Sequence, residues 1–146
     1  MLLHSRANPA ETDKAEGDGA IDFKRGHNFT LSYNHFVNCH KTGLIGSSDK
    51  IVQYNSTLHH NWYENVAARQ PLAAGGNIHI YNTYYDGATD TTIDLRGAAS
   101  CFAENNYFNS CKRPWNLRDA TCRLKLFGNI NVNQKQAGDN SGEVVE

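Results

Sequence analysis

The chain has 146 residues, room for one domain rather than two. Its 14 Lys+Arg against 15 Asp+Glu leave a formal charge of -1, which excludes attachment to nucleic acid or an anionic membrane by bulk charge. Mean hydropathy is -0.63 and no apolar run approaches the ~18 residues of a membrane span, while 7 Tyr, 6 Phe and 2 Trp exclude a disordered composition.

In chain order, residues 1–17 carry one short apolar run, Leu2-Leu3, with no secretory signal, and read as a polar N-terminal loop. Short alternating segments then follow, among them Phe29-Thr30-Leu31-Ser32-Tyr33, Asn77-Ile78-His79-Ile80-Tyr81 and Ser100-Cys101-Phe102-Ala103-Glu104. Period-two alternation over about five residues predicts strands, and no segment sustains a helical period. The ordered body is placed at residues 18–133. Residues 134–146, polar with Gly138 and Gly142, are expected to fray as a C-terminal tail.

The chain holds 17 asparagines, and five of them mark a repeat. Tyr33-Asn34-His35-Phe36, His60-Asn61-Trp62-Tyr63, Tyr81-Asn82-Thr83-Tyr84, Asn105-Asn106-Tyr107-Phe108 and, more weakly, Gly128-Asn129-Ile130-Asn131 align on Asn34, Asn61, Asn82, Asn106 and Asn129, at spacings of 27, 21, 24 and 23. An Asn at fixed phase between short strands suits a parallel β-helix of about five coils, in which a buried corner Asn bonds to those above and below. Asn also tolerates the left-handed backbone of a tight corner. With the asparagines as phase markers, Asp18, Lys41 and Arg69 fall on one face of three successive coils, with Asp22 one strand step further along. Spacing alone does not separate a site from an exposed salt-bridge ladder.

The residues go further. Asp18-Gly19-Ala20-Ile21-Asp22-Phe23-Lys24-Arg25-Gly26, Ser32-Tyr33-Asn34-His35-Phe36, His40-Lys41-Thr42-Gly43-Leu44, His59-His60-Asn61-Trp62-Tyr63, Ala68-Arg69-Gln70-Pro71 and Gly76-Asn77-Ile78-His79-Ile80-Tyr81-Asn82 occur in order, and the whole resembles the pectate lyases of polysaccharide lyase family 1. The resemblance implies an all-β fold, a right-handed parallel β-helix with an asparagine ladder. It implies cleavage of polygalacturonate by β-elimination, in which a base removes the C5 proton α to the uronate carboxylate and the 4-O-glycosidic bond breaks. Ca²⁺ is the implied cofactor, since that carbon is a weak acid until its carboxylate is neutralised. By position, Asp18 and Asp22 match metal ligands, Lys41 matches a substrate-binding lysine, and Arg69 of the Arg-x-Pro motif matches the catalytic base. Arg96, in Asp94-Leu95-Arg96, matches a substrate-contacting arginine. The resemblance also implies secretion, and partners limited to pectin oligosaccharide.

The chain departs from the family pattern in three places. A further calcium-binding aspartate belongs to an upstream coil, for which only Asp13 or Glu16 could stand in. The arginines that commonly follow Arg-x-Pro are replaced by Leu72, Ala73 and Ala74, so a carboxylate clamp is missing. An uncovered sheet end at residues 18–23 invites self-association at the N-terminal coil. These departures keep open a second reading, a catalytically inactive β-helix that binds acidic polysaccharide or serves as a structural fragment. Of Cys39, Cys101, Cys111 and Cys122, a disulfide Cys101–Cys122 or Cys111–Cys122 is within reach of adjacent coils. His35, His60 and His79 read as structural strand residues, and Trp62, Tyr63, Tyr84, Tyr85, Tyr107 and Phe108 as core stacking.

Overall fold

The computed structural model describes residues 2–4, 19–48, 50–138 and 140–146, and every regular element among them is a strand. The first coil holds β1 (Leu2–His4), β2 (Gly19–Phe23) and β3 (Gly26–Ser32). The same order then repeats as β4 (His35–Val37), β5 (Lys41–Ile45) and β6 (Gln53–His59), then β7 (Trp62–Glu64), β8 (Leu72–Ala74) and β9 (Asn77–Tyr81). It continues with β10 (Tyr84–Asp86), β11 (Thr91–Arg96) and β12 (Ser100–Glu104), and with β13 (Tyr107–Asn109), β14 (Arg113–Leu117) and β15 (Arg123–Phe127). β16 (Ile130–Val132) and β17 (Glu143–Val145) close the series. Each strand pairs in parallel with its counterpart one coil away. Three sheets result: β1-β4-β7-β10-β13-β16, β2-β5-β8-β11-β14 and β3-β6-β9-β12-β15-β17. This is the parallel β-helix that the asparagine spacing predicts.

The corner after the third sheet carries the ladder, with one change of residue. Asn61 Oδ1 accepts from the Asn34 backbone and from Asn34 Nδ2, each at 3.1 Å, and Asn61 Nδ2 donates to the Leu31 carbonyl at 2.9 Å. Asn106 and Asn129 repeat the arrangement, and Asn106 Oδ1 also accepts from the Thr83 backbone. The third rung is therefore Thr83, not Asn82, and the spacings become 27, 22, 23 and 23. Asn82 lies one residue earlier, exposed, at φ 49, in a left-handed column with Tyr33, His60, Asn105 and Gly128. The alignment mistakes one for the other because both positions favour Asn for different reasons: a buried amide at the first, a left-handed backbone at the second. Asn38, Asn65, Gly87, Ser110 and Asn133 form a second left-handed column at the same spacings, at the next corner.

Inside, one aromatic per coil stacks on the next. Phe36, Tyr63, Tyr85 and Phe108 have ring centroids 4.7, 5.1 and 4.8 Å apart and planes within 10°. Their spacing is the strand spacing itself, so register and ring stacking support each other. The expectation of core stacking holds for Tyr63, Tyr85 and Phe108. Trp62, Tyr84 and Tyr107 instead form an outer column on the first sheet, where His35 stacks on Trp62 at 3.8 Å and bonds Glu64 at 2.8 Å. His79 pairs with Glu104, whereas His60 is a corner residue rather than a strand one.

The chain ends differ from the polar loop and frayed tail read from composition. Leu2–His4 adds a strand beside β4, and β17 adds a strand beside β15 with Val144 packed against the core. The four cysteines are buried free thiols, so the expected disulfide is absent. Register explains it: Leu124 lies opposite Cys101, leaving Cys122 two residues out of line.

Two expectations follow. Asn106→Ala removes an amide from three hydrogen bonds in a buried corner and should cost about 2–4 kcal/mol, at roughly 1–3 per unsatisfied group. Asn82→Gly should stay within about 0.5 kcal/mol. Denaturant unfolding of the two variants checks the corrected register. At the corner between the second and third sheets, Asp119 accepts from Thr121 and from the Gly97 backbone, which holds its carboxyl down from 3.8 to about 2. A lowered folded-state pKa stabilises above the unfolded value and is lost as pH falls through the folded one. Thermal unfolding of Asp119→Asn should therefore show a shallower loss of stability than the parent between about pH 4 and 2.

Candidate active site

The outer face of the second sheet collects the charged residues. Lys41 opens β5, level with Gly19 on one side and Ala68 on the other. Arg69 follows Ala68 directly. Its backbone is fixed to both neighbouring coils, since its carbonyl accepts from Gly43 N–H at 2.8 Å and its N–H donates to Thr91 at 3.1 Å. It sits at φ 63, a left-handed conformation that costs an arginine roughly 1 kcal/mol. Gln70, buried, donates to the Val66 carbonyl, and Asp94 N–H donates to the Pro71 carbonyl. The surroundings thus over-determine the strained turn that carries Arg69. Among the described residues its guanidinium has no hydrogen-bond or ion-pair partner.

One coil further, Asp94 is completely buried in β11. Its register partners are Leu72 on one side and Asn116 on the other. A buried carboxylate requires a matched cation and full hydrogen bonding. Arg118 supplies both, with Nε 2.9 Å from Oδ1 and Nη2 2.6 Å from Oδ2, and Asn116 Nδ2 donates to Oδ1 at 3.0 Å. The carboxylate in turn raises the Arg118 pKa above its usual value, chiefly through those hydrogen bonds. Asp90 is ion-paired with Arg113, also one coil apart.

Lys41, Arg69, Asp90, Asp94 and Arg118 line one cleft of about 230 Å³, with His40, Ala68 and Thr91. Three cations face two carboxylates there, a surplus that suits an anionic ligand. The structure thus brings Lys41 and Arg69 together, as their phase predicts. Asp22 is exposed on the same sheet, level with Leu44 and three residues along from the Lys41 rung, outside the cleft lining. Arg96 also lies outside it, in a separate surface hollow with Ser47, Ser48 and Lys50. Asp18, Asp13 and Glu16 lie outside the described residues. Among the described residues no group of three or more His, Cys, Asp or Glu clusters to hold a metal, and Asp22 alone does not satisfy the 6–8 oxygen ligands of Ca²⁺. Leu72, Ala73 and Ala74 are buried strand residues and offer the cleft no cation. A larger hollow of about 690 Å³ lies on the third sheet, where His79 is held by Glu104.

Arg118 is the residue that motif reading misses. The available signal is opposite charge at one coil's separation: Asp90 to Arg113 is 23 residues and Asp94 to Arg118 is 24. The left-handed backbone at Arg69 has a separate consequence. Arg69→Gly and Arg69→Ala delete the same side chain, and the glycine variant should be the more stable by about 1 kcal/mol in denaturant unfolding. Equal stability would mean the turn is not left-handed in solution.

Comparison with known proteins agrees with the geometry. The pectate lyase family model matches residues 4–145. Pectate lyase B of Dickeya chrysanthemi is 41% identical over 99 residues, 66% of this chain and 26% of that protein. Pectate lyase 2 of Pectobacterium atrosepticum is 34% identical over 123 residues, 84% of this chain and 33% of its own length. Among solved structures, a variant pectate lyase from Xanthomonas campestris superposes with a TM-score of 0.80 at 33% identity, over 94% of this chain and 43% of that one. Pectate lyase II of the same species gives 0.75 at 34%, over 86% and 42%. The chain thus spans about a quarter to a third of these curated relatives and under half of the solved ones. With a family model matched along nearly its whole length and a β-helix that superposes on solved pectate lyases, the chain belongs to the pectate lyase family.

Proposed function

We propose that this chain cleaves polygalacturonate by β-elimination. The observation that carries the reading is the meeting of Lys41 and Arg69, from different coils, in one cleft with a cationic surplus. In the proposed reaction Arg69 accepts the C5 proton of a bound uronate. The C–H electrons form the C4–C5 double bond, the C4–O bond breaks, and the departing oxygen takes a proton from water. Accepting that proton requires the neutral form of the guanidine, which gives up its charge by losing one N–H proton. Lys41 binds a substrate carboxylate, and Arg96 contacts the polymer further along the sheet.

Ca²⁺ is kept as a proposed cofactor with Asp18 and Asp22 as ligands. When bound it would neutralise the uronate carboxylate and acidify the C5 proton. The described donors alone do not complete its coordination. Secretion belongs to the same proposal. The burial of Leu72, Ala73 and Ala74, which leaves no arginine after the Arg-x-Pro turn, favours one alternative: a β-helix that binds acidic polysaccharide without turnover.

Growth of absorbance from the unsaturated product, on polygalacturonate with and without chelator, tests the reading. Turnover should fall by about 10²–10⁴ in Arg69→Ala, the usual contribution of a positioned base, and should drop on chelation. Turnover that is unaffected by Arg69→Ala would contradict the mechanism, and binding without turnover by the parent chain would establish the alternative.

A further inference from the structure

We infer that Arg118, held in place by Asp94, is a carboxylate-binding residue for a second uronate of the polymer, replacing the cation missing at Leu72, Ala73 and Ala74. The inference rests on the reading of the cleft as a uronate site. Arg118 arrives from the strand end two coils beyond Arg69, yet it lines the same cleft as Lys41 and Arg69. Its pairing with Asp94 is side-on, through Nε and Nη2. A guanidinium has five N–H donors, so both hydrogens of Nη1 and one of Nη2 remain beyond that pair. They form the outer fork that meets a planar carboxylate with two parallel bonds. The Arg118 side chain is 46% exposed while the Asp94 side chain is fully buried, so the anchored edge faces the protein and the other edge is accessible.

The anchor also supplies what a flexible surface arginine lacks. Asp94 is fixed by β11 pairing, by the Asn116 amide and by its N–H bond to Pro71, within the turn that carries Arg69. Arg69 and the anchor of Arg118 therefore share a backbone connection. Asp94 is here a positioning residue, acting on the polymer through Arg118.

Equilibrium binding of trigalacturonate by titration calorimetry tests this, with Arg118→Gln, Arg118→Lys and Asp94→Asn beside the parent chain. Arg118→Gln should weaken binding about tenfold, the loss expected for a charge-assisted contact at a half-exposed site. Arg118→Lys should restore only part of it, because an ammonium cannot serve both carboxylates as a fork does. Asp94→Asn should weaken binding while leaving Arg118 charged, and none of the effects should appear with the fully methyl-esterified trimer. If Arg118→Gln binds as the parent does, the inference is overturned whether or not the chain turns over substrate. Loss of binding in Arg118→Gln that occurs equally for the methyl ester overturns it too, since the role would then be structural. Failure of the parent to bind any uronate removes both this inference and the reading it rests on, whereas binding by the parent without turnover removes only the lyase proposal.

Discussion

Stacking of identical corners at the strand spacing is the constraint on which the rest of this molecule depends. A parallel coil can stack on its neighbour only if each corner's polar backbone is satisfied, because an unpaired buried N–H or C=O costs free energy comparable to a lost hydrogen bond. The amides of Asn61, Asn106 and Asn129 meet that demand by bonding both to the rung of the preceding coil and to a strand carbonyl of that coil, and Asn34 bonds to Asn61 and to the Ser32 carbonyl of the strand it leaves. Thr83 meets it partly, its N–H going to Asn106 while its hydroxyl turns back to the Tyr81 carbonyl. Once the corners are locked, the strand registers, the ring stack from Phe36 to Phe108 and the outer columns have no remaining freedom to slide.

That locked register converts distant sequence positions into a site. Lys41, Arg69, Asp94 and Arg118 belong to four successive coils and to no common local motif, yet they converge on one cleft of the second sheet. The cleft is held by two devices. One is a left-handed Arg69 turn fixed to the coils on either side. The other is a buried carboxylate whose charge is matched across one coil by Arg118. A buried ion pair is weak evidence of net stabilisation. Its value here lies in fixing where a cation stands.

Much of this fold is legible in the sequence because solenoid corners repeat and Asn is chemically suited to them. The spacing of asparagines and alternating segments yields the strands, the sheets' parallel sense and the coil count. The failure at Asn82 is informative: two adjacent columns both favour Asn, and only spacing regularity, 22 and 23 rather than 21 and 24, separates them. The end strands β1 and β17 escape composition because three residues are too few to show an alternating period. Within the site, Lys41 and Arg69 are legible from motif and phase together. Arg118 is not, since its role depends on a partner 24 residues away whose burial no local pattern announces.

Membership in the pectate lyase family rests on a match along nearly the whole chain, whereas the chain spans only part of its relatives. The cleft is therefore the decisive feature. Its chemistry, cations drawn from three coils of a stack of parallel strands, suits a linear polyanion lying across the coils. A crystal structure with trigalacturonate bound tests that claim most directly. The account predicts uronate carboxylates within hydrogen-bond distance of Lys41 and Arg118, with a sugar ring over Arg69. Sugar density confined to the hollow of the third sheet, around His79 and Phe102, would contradict it.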